Sequence, residues 1–118
     1  MYRTILKSKI YNVSVSEVSS SCSGSIGIDK NLMREANILK FEQVHVLNVS
    51  NGKRFITYAI PEESGICIYG AATKLVEFND RIIILSYTTV TDETGWKVKI
   101  VSGCKDEDSN PNESRQKW

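Results

Sequence analysis

Val44-His45-Val46-Leu47-Asn48-Val49, then Asn51-Gly52, then Arg54-Phe55-Ile56-Thr57-Tyr58-Ala59-Ile60 reads as a β-hairpin. The first run is apolar and rich in valine. Asn51-Gly52 predicts the two positive φ values of a tight turn, and Arg54 to Ile60 predicts the return strand. Similar short runs surround it. Tyr11, Val13 and Val15 alternate with Asn12, Ser14 and Ser16, the period-2 mark of a half-buried strand. Ile66-Cys67-Ile68-Tyr69 is a short strand ending at Gly70-Ala71-Ala72, small residues that let the backbone approach something closely. Asn79-Asp80 turns the chain into Ile82-Ile83-Ile84-Leu85, apolar enough only for a buried strand, and Trp96 to Val101 alternates as the last one. Asp29 can cap a brief helix carrying Leu32, Met33 and Ala36, ending around Asn37 to Leu39. Many short strands, one or two short helices, and no repeat or linker predict one mainly β domain over residues 1–104, a small β-barrel. Residues 105–118 are polar and aperiodic, with Pro111, and read as a disordered tail.

Composition narrows the function classes. The 118 residues can bury a core without staples, and 41% of them are hydrophobic. A formal net charge of +1 gives no electrostatic argument for nucleic acid or an anionic membrane as partner. No apolar run approaches a membrane span, and Met1-Tyr2-Arg3-Thr4 leads into a strand rather than a signal peptide. The 3 cysteines, Cys22, Cys67 and Cys104, are widely spaced with no CxxC pair. The expectation is a cytoplasmic protein with neither a disulfide framework nor a metal site.

The segment Ser14 to Ser25 holds seven serines and favours turns over a packed element. Within it, Gly24-Ser25 has a chemistry of its own. In a suitable backbone geometry, a serine hydroxyl attacks the preceding carbonyl and turns the amide into an ester. Elimination and hydrolysis then leave an N-terminal pyruvoyl group. A solvated turn is the plain alternative for the dipeptide taken alone.

Lys9, Gly24-Ser25-Ile26, Ile28-Asp29, Asn51-Gly52-Lys53-Arg54-Phe55, Thr57-Tyr58-Ala59-Ile60 and Gly70-Ala71-Ala72 together resemble the aspartate 1-decarboxylase family. The resemblance runs from about Arg3 to Val90 and leaves the region after Thr91 unconstrained. It implies a double-psi β-barrel, a homotetramer with active sites shared between neighbouring subunits, and cleavage at Gly24-Ser25. It also implies decarboxylation of L-aspartate to β-alanine and carbon dioxide for pantothenate synthesis, using the pyruvoyl made from Ser25. Carried across, Lys9 and Arg54 hold substrate carboxylates, Tyr58 supplies a proton, and Thr57 assists the cleavage and contacts substrate. Gly70, Ala71 and Ala72 line the pocket. An uncleaved relative of the same fold, acting as a binding or regulatory protein, is the other reading, and an activating accessory protein is left open. Three positions depart from the family's pattern, which has histidine at Tyr11, tyrosine at Cys22 and asparagine at Tyr69.

The residue types suit these roles. The planar guanidinium of Arg54 can bond both oxygens of a carboxylate at once, and the hydroxyl of Tyr58 can protonate a carbanion if it is positioned to do so. Each also has an ordinary reading: Arg54 as an exposed charge opening a strand, Tyr58 as core, Lys9 as a solvated lysine, Thr57 as a strand residue. Strand geometry sets a constraint of its own. Arg54 and Tyr58 share a face about 13 Å apart, and Thr57 points to the other. His45 reads as surface or core, and Cys22 as a loop thiol.

Overall fold

The computed structural model describes residues 1–20, 24–91 and 95–104. In chain order the strands are β1 (Tyr2–Ser14), β2 (Glu17–Ser19), β3 (Ser25–Asp29), β4 (Gln43–Asn48), β5 (Arg54–Glu62), β6 (Ile66–Tyr69), β7 (Arg81–Thr91) and β8 (Lys99–Ser102). Helix α1 (Lys30–Ala36) follows β3, and Gly70–Leu75 forms a short 3-10 helix after β6. Cys22 and the tail expected over 105–118 lie outside the described residues.

The strands hydrogen-bond in the order β2-β6-β3-β5-β4-β7-β1-β8. Closure comes from the chain rather than from a further ladder. β1 lies beside β7, β2 lies beside β6, and only Val15 and Ser16 separate β1 from β2. At that bend Val15 N–H donates to Asp80 O (2.9 Å) and Ser16 N–H to Ile66 O (2.8 Å), tying the two edges together. The mainly β barrel is thus present, with its two short helices. Parallel ladders β3–β5 and β2–β6 cross an otherwise antiparallel sheet, and β8 adds in parallel outside β1. Inward side chains fill the interior. Ile10, Val15, Ile26, Ile28, Val44, Val46, Ile68, Ile82 and Ile84 are fully buried.

Local sequence explains most of the boundaries. Asp29 Oδ1 accepts the N–H groups of Asn31 (2.7 Å) and Leu32 (3.3 Å) at the start of α1, and Asn37 ends it in a left-handed turn. Three details depart from expectation. The first concerns the hairpin turn, which is wider than an Asn-Gly two-residue turn. Gly52 has φ +78°, but Asn51 is not among the positive-φ residues. Instead Gly52 N–H reaches Asn48 O (2.7 Å), while Asn48 Oδ1 accepts Ser50 N–H and Asn51 Oδ1 accepts Lys53 N–H. Side-chain acceptors take over what the second positive φ would have done. The second departure is in β1, where alternation breaks because the register shifts between Ile10 and Val13, with Asn12 at φ +57°. That bulge leaves Tyr11 half-buried while Val13 and Val15 face the core. Lastly, β8 begins at Lys99 rather than Trp96, whose indole N–H instead donates to Lys7 O (3.2 Å).

One ion pair is held mostly out of solvent. Lys7 Nζ lies 2.6 Å from Glu42 Oε2 and 2.6 Å from Asn37 O, with the two charged side chains 12% and 21% exposed. Ser86 Oγ also donates to Glu42 Oε2, and Leu39 N–H to Oε1 (3.0 Å). Burial pushes the Glu42 carboxyl up, but the donors from Lys7, Ser86 and Leu39 outweigh it and hold it below the ordinary glutamate value. A carboxyl lowered by folding stabilises above its unfolded-state pKa, and that stability is lost as pH falls through its folded value. In urea melts at neutral pH, Lys7→Met is expected to lose about 1.5–3 kcal/mol, the range for a charged hydrogen bond. On acidification the wild type should lose stability more steeply than Glu42→Gln. Parallel acid profiles for the two would show that Glu42 is not held in this way.

Candidate active site

The site arises where a ladder stops. β3 pairs with β5 from Ile26 opposite Ala59 to Asp29 opposite Glu62. The earlier half of β5, Arg54 to Tyr58, is paired only with β4 among the described residues. Gly24 enters beside that unpaired edge, and the 3-10 helix covers it from the far end of β6. Between them is a cleft of ≈ 410 Å³ lined by Gly24, Thr57, Tyr58, Ala71 and Ala72, with Phe55, Ile56 and Leu75 completing the wall. A strand edge presents both of its faces to such a cleft. Thr57 and Tyr58 therefore line it together although they point to opposite sides of the strand.

Backbone conformation shapes the cleft's far wall. Gly70 is buried at φ +75°, a left-handed conformation that turns the chain out of β6 and presents Ala71 and Ala72 to the cleft. Tyr58 is steadied from outside by Phe41, with ring centroids 6.0 Å apart. Ser25, the first residue of β3, is only 4% exposed and sits opposite Tyr69 in the β3–β6 ladder. A Cβ added at Gly24 would meet Tyr69 O at 3.8 Å, ordinary contact, so space alone does not demand glycine there. What glycine contributes is freedom to twist the bond that follows.

Two expected site residues stand apart from this cleft within one chain. Arg54 Nη2 donates to Tyr87 Oη (3.0 Å), and Tyr87 lines a separate hollow of ≈ 340 Å³ with Thr4, Gln43 and His45. Lys9 lies on β1 between Leu85 of β7 and Ile100 of β8, its ammonium 5.9 Å from the Tyr11 ring centroid. Of the residues named from sequence, Gly24, Thr57, Tyr58, Ala71 and Ala72 meet directly, and Ser25 and Gly70 adjoin them.

A polar group beside Ser25 was not legible from local patterns. Tyr69 Oη donates to Glu62 Oε2 at 2.7 Å. That bond, with burial second, raises the phenol well above its ordinary pKa. Cys67, two residues along the same strand, is a buried thiol whose pKa burial pushes up, against the lowering effect of its hydrogen bond to Tyr69. Its Sγ is 3.8 Å from Glu17 Oε1. These residues come from three strands, which is why spacing in sequence gave no sign of them.

Residues 1–110 match the model of a family described as aspartate decarboxylase. Proteins named aspartate 1-decarboxylase are similar along most of their length. One from Thermoanaerobacter pseudethanolicus is 48% identical over 106 residues, covering 86% of this chain and 91% of its own. Another, from Clostridium novyi, is 40% identical over 115 residues, covering 95% and 94%. A third, from Campylobacter jejuni, is 45% identical over 102 residues, covering 83% and 81%. The likeness therefore reaches past Thr91, where the motifs alone left the chain unconstrained.

The cleft wall makes its own prediction. Gly70→Ala forces an L-residue into the left-handed region, at a cost of roughly 1–2 kcal/mol. In a thermal melt the variant should unfold several degrees below wild type. An unchanged melting temperature would mean that the turn after β6 relaxes freely.

Proposed function

The chain belongs to the aspartate decarboxylase family, and we propose that it removes the α-carboxylate of L-aspartate to give β-alanine and carbon dioxide, for pantothenate synthesis, after cutting itself at Gly24–Ser25. The observation that carries this reading is the cleft in which Gly24 meets Thr57, Tyr58, Ala71 and Ala72, with Ser25 adjoining.

The cut balances without an added oxidant or reductant. Ser25 Oγ attacks the Gly24 carbonyl carbon, and the C–N bond breaks as the ester forms and the amine is freed. Loss of the Ser25 α-proton expels the Gly24 carboxylate and leaves a carbon–carbon double bond. One water then replaces the nitrogen, ammonia departs, and a ketone remains at residue 25. Thr57, on the cleft wall with Gly24, is suited to hold the attacked carbonyl.

The residues present fit that group. Ser25 is buried against the β6 strand beside an open, partly apolar cleft, where a ketone is held still and a small diacid can reach it. The group supplies an electrophile that condenses with the substrate amine and draws electrons as the carboxylate leaves. The protein's own residues do the rest. Ala71 and Ala72 bring backbone to the substrate, and Tyr58 returns the proton. Tyr69 is a poor alternative donor because Glu62 holds its proton.

Arg54 and Lys9 are assigned the substrate's carboxylates, and they reach the cleft from a neighbouring subunit of a homotetramer. Neither side chain lines the cleft within one chain, which supports a shared site, as do the exposed Phe41, packed beside Tyr58, and Ile56, 64% and 57% accessible. The protein is assigned to the cytoplasm. Among the described residues no helix is long and apolar enough to cross a membrane, and Cys67 and Cys104 are free thiols.

Intact-mass measurement tests the cut. Purified protein should resolve into residues 1–24 and residues 25–118, the larger resistant to Edman sequencing, while Ser25→Ala stays whole. A wild type that remains whole after warm incubation would favour the uncleaved binding or regulatory reading.

Chemistry is tested separately at Tyr58. Tyr58→Phe keeps the ring against Phe41 and removes the hydroxyl. Positioned acids contribute typically 10²–10⁴-fold, so β-alanine release per cleaved site should fall by about that factor with cleavage little changed. Wild-type turnover in this variant would make Tyr58 a packing residue.

A further inference from the structure

The outer face of the sheet at the cut site is crossed by one side chain. Glu62, at the end of β5, lies over Gly27 of β3 and reaches Tyr69 of β6. A Cβ at Gly27 would sit 2.6 Å from Glu62 Cγ and 2.9 Å from Cδ, and closer still to Oε2. A side chain at residue 27 would therefore have to displace Glu62 from its present path. Tyr69 is in turn the ladder partner of Ser25, and its carbonyl is the nearest atom to the Gly24 Cβ position. In a ladder, directly opposed residues share a face, so Tyr69 and Ser25 lie on the side that Glu62 spans.

We propose that Glu62 and Tyr69 form a strap across β3 that fixes the Gly24–Ser25 bond for self-cleavage. Both are positioning residues. The hydroxyl of Tyr69 gives its hydrogen bond to the carboxylate and takes no part in proton transfer. The bond pins the Tyr69 side chain on the outer face, and with it the backbone rung opposite Ser25. Misplacing a reacting group by a fraction of its contact distance is costly in rate, because the attack of Oγ on the carbonyl depends on orientation. The proposal rests on the self-cleavage reading and adds to it a device made of this chain's own side chains.

The test is a time course of cleavage by intact mass on freshly purified full-length protein, with β-alanine turnover per cleaved site and melting temperature measured on the same samples. Tyr69→Phe and Glu62→Ala should each slow cleavage roughly 10- to 100-fold, as expected for a lost hydrogen bond to a charged group. The double variant should be no slower than either single one, since both remove one bond. Glu62→Gln keeps an acceptor and should recover much of the rate. Gly27→Ala should slow cleavage with Glu62 and Tyr69 both unmutated, because its methyl displaces the flexible Glu62 side chain. Sites that do get cut should turn over as in wild type, which a general loss of folding would not allow. If wild type cleaves and Tyr69→Phe and Glu62→Ala keep pace with it, the strap is overturned while the self-cleavage reading stands. If wild type itself never cleaves, both fall.

Discussion

The late start of the β3–β5 ladder is the constraint on which the site depends. Among the described residues Arg54 to Tyr58 pair only with β4, and a parallel partner that began five residues earlier would satisfy that edge of β5 and close the cleft. In this chain the ladder begins at Ile26 opposite Ala59, one residue after Ser25. The same register thus opens a cavity and delivers the Gly24–Ser25 bond to its rim. Burial of Ile26 and Ile28 holds that register, because a slip of β3 by one residue would turn both out of the core. Core packing here sets the position of the chemistry as well as the stability of the fold.

Asn48 performs a comparable service at the opposite end of β5. Its Nδ2 donates to Leu75 O (3.1 Å) and Asp80 Oδ2 (2.8 Å), and its Oδ1 accepts Ser50 N–H. One buried amide therefore links the hairpin turn, the end of the 3-10 helix and the start of β7. The helix that carries Ala71 and Ala72 is anchored by Gly70 at one end and Asn48 at the other. The cleft wall is fixed at both ends although the 3-10 helix contributes few backbone bonds of its own.

Much of this was legible in sequence, where local rules act without competition. Val44 to Ile60 gave the hairpin, Asp29 gave the start of α1, and Ile66 to Tyr69 gave β6, because periodicity and capping are properties of neighbours. The Asn51-Gly52 turn misled because side-chain acceptors at Asn48 and Asn51 offered a wider alternative. Tyr11 misled because the register shift between Ile10 and Val13 shows only against the partner strand β7. In the site, family motifs named Thr57 and Tyr58 together, whereas strand spacing set them on opposite faces. Only the open edge reconciles these. Glu62 and Gly27 gave no local sign, since their meeting depends on three strands lying side by side.

β1 and β2 both precede Gly24, and between them they supply the closing seam of the barrel. If the Gly24–Ser25 bond is cut as proposed, the seam is held to β7, β8 and β6 by hydrogen bonds and packing alone. Each mature subunit would then be two chains, and its unfolding would release a small fragment into solution. Recombination of the two chains would add a concentration-dependent step to the refolding of each subunit, a step the uncut precursor subunit does not need. The proposed cut would therefore work as a ratchet. The barrel must be complete before the cut, and a cut barrel that comes apart in dilute solution has no fast way back.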